Sequence, residues 1–147
     1  CPFSDFGSEH PQMEELLNIC DSWNVPVLID MAYFGMCHDI EIDLSHKCIE
    51  EVTFSLGKTF PIIGARAGIR LQKTLVDDAV LFANQHGIVN NFGAMIGLTC
   101  IETWDSDYIV RKYKDTQLQV LVAMGRELVL SETLFQRCPQ NYGNLRY

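Results

Sequence analysis

No uninterrupted apolar run in these 147 residues approaches the roughly 20 that a helix needs to cross a bilayer, although 48% of the chain is hydrophobic. A membrane partner is therefore not expected, and the composition is that of a soluble globular chain. Basic residues are scarce as well. The 11 Lys and Arg stand against 19 Asp and Glu, giving a formal charge of −8, and they are scattered instead of gathered into a stripe. That removes the electrostatic footprint expected of a nucleic-acid binder. The six cysteines, at positions 1, 20, 37, 48, 100 and 138, form no C-x-x-C pair. Neither a thioredoxin-like site nor a zinc ribbon is indicated, and free thiols in a reducing, cytoplasmic setting are the plain reading. Cys37, His38, His46 and Cys48 include the ligand types of a tetrahedral zinc site, but the adjacent Cys-His pair departs from the usual ligand spacing, so no metal is expected. There is no internal repeat, no low-complexity segment, and no signal-peptide pattern after Cys1.

A chain of this length can bury one ordinary core. Met13, Leu16, Leu17 and Cys20 recur at helical spacing and predict an amphipathic helix to about Trp23. The short apolar run Val25–Ile29, between Asn24 and Asp30, suits a buried strand of a parallel sheet. Residues 34–47 loosen into a loop, and Ile49–Ser55 has the β-branched and aromatic content of a second strand that delivers Ser55 and Lys58 to a loop. Ile69–Gln72 alternates as a half-buried strand does. A helix over Leu75–His86 is expected to stop at Gly87, and another, capped by Asn90 or Asn91, to run to about Thr103. A long amphipathic helix is predicted over 105–130, with Ile109, Tyr113, Val120, Leu121, Met124 and Leu128 inward. Residues 131–147 have little periodicity and read as the start of a truncated region.

Three patches carry candidate chemistry: Asp30-Met31-Ala32-Tyr33, Ser55-Leu56-Gly57-Lys58 and Gly64-Ala65-Arg66-Ala67-Gly68. The carboxyl ends of strands in open α/β sheets are where ligands bind, so a carboxylate, a phenol, a hydroxyl and two cations are expected to converge there. Such a mixture suits an anionic, ring-bearing cofactor. Taken singly, each residue has an ordinary explanation: a strand-end Asp commonly caps a turn, a nearby Tyr is commonly core, and a lone Lys or Arg is commonly solvated surface. Gly57-Lys58-Thr59 also ends like a phosphate-binding P-loop, but that pattern requires glycine at position 52, where Val52 stands within the second strand.

With Asp-x-Ala-Tyr, Ser-x-x-Lys and an Arg eight residues beyond the lysine, the sequence resembles the class I and II aminotransferases of fold-type I. The resemblance covers most of the chain, to about Leu130. It implies an α/β fold: part of a three-layer sandwich, the large domain, over residues 1–104, then an interdomain helix over 105–130 leading to a missing small domain. It implies pyridoxal phosphate as cofactor, with Lys58 as its covalent tether and as the base that moves the substrate α-proton. That task demands an unprotonated amine, which burial and a neighbouring cation favour. Asp30 is implied against the pyridine nitrogen, Tyr33 at the ring's phenolic oxygen, and Ser55 and Arg66 on the phosphate, where a guanidinium grips two oxygens at once.

Some of the family pattern is altered. Cys1-Pro2 stands where Asn-Pro is usual, and Gly57 where Ser or Thr is frequent. The upstream phosphate loop and ring-stacking aromatic, and the downstream arginine for the substrate carboxylate, have no counterpart. The expectation is therefore a fragment, inactive alone, of a homodimeric enzyme moving an amino group between an amino acid and a 2-oxo acid. A lyase or synthase of the same fold, an aminotransferase-like domain of a transcription regulator, and a decayed homologue that binds no cofactor remain alternatives.

Overall fold

The structure, a computed structural model, describes residues 7–38 and 40–124. Among them lie a three-stranded sheet and five helices, a mixed α/β arrangement. Helix α1, Met13–Trp23, ends where Asn24 turns left-handed (φ 52°) and returns its N–H to the carbonyls of Cys20 and Asp21. Asparagine tolerates that conformation, so the chain reverses into strand β1, Val27–Asp30. Among the described residues that follow is a 3-10 turn, Phe34–Met36, and strand β2, Ile49–Ser55, pairs parallel to β1. Strand β3, Gly68–Gln72, returns antiparallel to β2, so the sheet order is β1-β2-β3.

Leu17 on α1 is 1% exposed and packs with Ile29 and Met31 from the first strand and its end, Ile49 and Val52 from the second, and Cys48 just before it. A second cluster of Leu56, Phe60 and Cys100 lies beneath the β2–β3 connection. Helix α4, Asn91–Thr103, supplies Cys100, and Asn90 caps it by accepting from the Gly93 N–H at 2.9 Å. No helix among the described residues is long and apolar enough to cross a membrane.

Several expectations are corrected. Strand β1 begins at Val27, because Pro26 has no N–H to give a ladder, and it is not buried on both faces: Leu28 is 55% exposed. Lys58 sits on a helical turn, α2, Leu56–Thr59, instead of a loop. Helix α3 is Ala79–Gln85, starting four residues later than expected, because the Asp78 carboxylate accepts the N–H groups of Val80 and Leu81 and fixes the start there. Helix α5 is Tyr108–Met124 within the described residues, and its buried positions are Val110, Gln117 and Leu121. Of the inner face expected, Leu121 is buried, whereas Tyr113, Val120 and Met124 are exposed. Ile109 is intermediate. Apolar residues occur on several sides of this helix, so periodicity alone did not select the side that meets a neighbour. Leu128 and the tail 131–147 lie outside the described residues.

Candidate functional site

The last pair of the β2–β3 hairpin joins Ser55 to Gly68, and the twelve residues between them, 56–67, carry both expected cations. Lys58 comes three residues after one foot of the loop, and Arg66 two before the other. Helix α2 forms immediately after Ser55, because the Ala67 carbonyl on the returning limb accepts the N–H groups of Leu56 at 3.1 Å and Gly57 at 3.4 Å. The Thr59 hydroxyl donates back to the Ser55 carbonyl at 3.0 Å. The returning limb makes a 3-10 turn, Ile63–Ala65, and Arg66 closes it in the left-handed region, φ 49° and ψ 48°. The hairpin closure thus brings the lysine and the arginine, eight residues apart in sequence, to the wall of one cavity.

Tyr33 reaches the same place from the other side. It precedes the 3-10 turn Phe34–Met36, which is held to β2 by an edge-on contact of Phe34 with Phe54 at 6.1 Å between ring centres. Gly35 lets this turn lie against α2: a Cβ there would collide with the Thr59 side chain. Lys58 Nζ consequently stands over the Tyr33 ring, 4.0 Å from its centre. Tyr33, Ser55, Lys58 and Arg66 together line a cavity of about 510 Å³, with Met36, Phe54 and Ile63 among its apolar walls.

Four of the five expected residues are therefore brought together. Asp30 is not among those lining the cavity. It ends β1 opposite Thr53, two residues before Ser55, so by register it shares their face of the sheet. Its Oδ1 accepts the Ala32 N–H at 2.9 Å, which is the turn-capping role a strand-end aspartate commonly takes. The cavity suits a phosphorylated aromatic ring in the chemistry of its donors: two cations and a hydroxyl for the anion, a phenol, and an apolar wall for the ring. Sequence reasoning missed the roles of Gly35 and of Asn90, whose side-chain amide donates to the Ala65 carbonyl. The cap that Asn90 makes is a local signal, but its bond to a residue 25 positions earlier has none.

The sequence cluster of Cys and His resolves differently. His46, 8% exposed, lies between Asp21 at 3.0 Å and Glu14 at 3.2 Å, and these two carboxylates raise its pKa. Burial pushes the Asp21 carboxyl up, but hydrogen bonds from Cys48 and His46 outweigh it and leave the group below its ordinary value. The Cys48 thiol is pushed up to about 11, by burial first and by Asp21 next, so it stays protonated and unreactive at neutral pH. It donates to the Leu17 carbonyl, and the Cys37 thiol donates to that of Tyr33. Glu14, Asp43 and His46 offer ligand atoms within 4.8 Å of one another, but Glu14 and Asp43 are exposed carboxylates.

The family model described as aminotransferase class I and II matches residues 4–119, about four-fifths of the chain. No curated protein and no solved structure matches it. The match takes in both limbs of the Lys58–Arg66 hairpin, the Tyr33 turn and α4, and with them it establishes that the chain belongs to the class I and II aminotransferases, a family that works with pyridoxal phosphate.

Proposed function

We propose that this chain is the lysine-bearing part of an aminotransferase that moves an amino group between an amino acid and a 2-oxo acid. The observation that carries the reading is the meeting of Lys58, Arg66, Ser55 and Tyr33 around one cavity. When bound, pyridoxal phosphate supplies an aldehyde for an amine and a ring that accepts electron density as the α-proton leaves. The Lys58 amine serves as covalent tether and then takes the proton from the substrate α-carbon. Lys58 stands on α2, in the loop that also carries Arg66, with its Nζ over the Tyr33 ring. Arg66 and Ser55 bind the phosphate from the two feet of the loop. Tyr33, beneath the lysine, donates to the ring's phenolic oxygen, and Asp30 at the neighbouring strand end holds the ring nitrogen protonated. In this reading residues 1–104 belong to the large domain, α5 leads toward a small domain, and the whole enzyme is a homodimer.

The test is to add pyridoxal phosphate to the chain, record the visible band of the lysine-bound cofactor, reduce with borohydride and map the labelled peptide. The label is expected on Lys58, and Lys58→Ala should abolish the band. A label on Lys47, Lys73, Lys112 or Lys114 with an unchanged band in Lys58→Ala would overturn the assignment, as would failure of the chain to bind the cofactor.

A further inference from the structure

Arg66 has a backbone that ordinary residues avoid. A left-handed conformation at a residue with a side chain persists where its surroundings hold it, and here both flanking carbonyls are anchored. On one side the Ala67 carbonyl takes the N–H groups of Leu56 and Gly57. On the other, the Ala65 carbonyl takes the side-chain amide of Asn90, which belongs to the start of α4. The same Asn90 side chain accepts the Gly93 N–H through Oδ1, so a single planar group ties the helix end to the turn. Gly93 permits this approach, because a Cβ on it would collide with the Ala65 carbonyl.

We propose that Asn90 is a positioning residue for Arg66: by joining the N-terminus of α4 to the Ala65 carbonyl, it sets the left-handed turn that aims the guanidinium at the cofactor phosphate. This rests on the phosphate role given to Arg66 above. The choice of asparagine follows from the two tasks. Serine or aspartate caps a helix equally well, but neither combines an acceptor for the Gly93 N–H with an amide donor for a distant carbonyl. Losing the donor leaves the helix capped and the Ala65 carbonyl unpartnered, so the turn before Arg66 loses one of its two anchors. The loss should appear in recognition of the phosphate, not in recognition of the ring.

The experiment compares Asn90→Ser and Asn90→Asp with the parent chain, using Asn91→Asp as a control for added charge, since Asn91 is exposed and outside the contact. Affinities for pyridoxal phosphate and for unphosphorylated pyridoxal are measured by the visible band. Amide hydrogen exchange at residues 65–67 is followed in the cofactor-free protein. Both Asn90 variants should bind pyridoxal phosphate about tenfold more weakly, the size of one hydrogen bond lost in the site, with pyridoxal affinity unchanged and the melting temperature modestly lowered by the unpartnered Ala65 carbonyl. Exchange across the turn should quicken, and adding Arg66→Ala to Asn90→Ser should cost little more than Arg66→Ala alone. Full additivity with Arg66→Ala, or exchange at wild-type rates in Asn90→Ser, would overturn the proposal. If Arg66→Ala instead leaves the preference for the phosphorylated ligand intact, the phosphate role itself fails, and the exchange rates still decide whether Asn90 holds the turn.

Discussion

At the scale of single residues, the site depends as much on what is absent from a side chain as on what is present. Gly35 brings the Tyr33 turn against α2, and a methyl group in its place meets the side chain of Thr59. Gly35→Ala is expected to destabilise the chain by about 1–3 kcal/mol, the usual cost of overpacking, and to lift Tyr33 away from Lys58. Thr59→Ala in the same background should recover part of that loss, so that the double variant is more stable than the sum of the single changes predicts; simple additivity in thermal denaturation would refute the contact. Ser55, Lys58 and Arg66 could be expected at one place from the sequence because they sit on the two limbs of one hairpin, whereas Tyr33 reaches the same cavity from the turn after β1, which no local spacing reports. The position of Asp30 was legible only to the level of the strand end. The glycine and asparagine that hold these limbs together act across 24 and 25 positions, and no local pattern reports such a pairing.

At the scale of elements, the starts of helices record how well local chemistry speaks. α4 was readable from its asparagine cap, and β2 from its β-branched run, since both signals are complete within a few residues. α3 was misjudged because the apolar spacing continues upstream of Asp78, whereas the carboxylate that stops it there is also tied to the sheet: Arg70 on β3 donates to it at 2.6 Å and 3.1 Å. That guanidinium, followed by the backbone N–H groups it caps, holds the Asp78 carboxyl down at about 2 from an ordinary 3.8. A lowered pKa in the folded chain means that this clasp contributes fully above the ordinary value and is lost as the pH falls toward 2. Asp78→Asn keeps a good cap and removes the charge. Its melting temperature should therefore lie below that of the parent chain near neutrality, with the gap closing between about pH 4 and pH 2. A gap that persists at the acid end would show that the ion pair is not its source.

At the scale of the whole molecule, the described residues hold two apolar clusters, one between α1 and the parallel strands and one under the β2–β3 connection, with no buried residue in common. Leu17→Ala, at a position 1% exposed, should cost about 3 kcal/mol, and Phe60→Ala in the second cluster a similar amount. Because the clusters are separate, the two losses should add to within about 0.5 kcal/mol in chemical denaturation, and strong coupling between them would mean a single continuous core. Of the helical repeat of Met13, Leu16, Leu17 and Cys20, Leu17 enters the core with Met13 and Cys20 packed against it, whereas Leu16 is 54% exposed. The inward side of α5 was not legible, because Val110, Gln117 and Leu121 are selected by what lies opposite them and not by contrast with their own helix.

The hairpin that carries the two cations also governs how the site responds to movement of the sheet. Lys58 and Arg66 hang from one rung, Ser55 with Gly68, so a slide or twist of β1 along β2 carries them as a pair. Asp30 rides on the other strand, which meets β2 through the parallel ladder and the core packing of Ile29 and Met31 against Ile49 and Val52. In the proposed reading the groups given to the phosphate and the covalent tether therefore share one hairpin, whereas those given to the ring, Asp30 and Tyr33, belong to the β1 side, so adjustment to different occupants falls there.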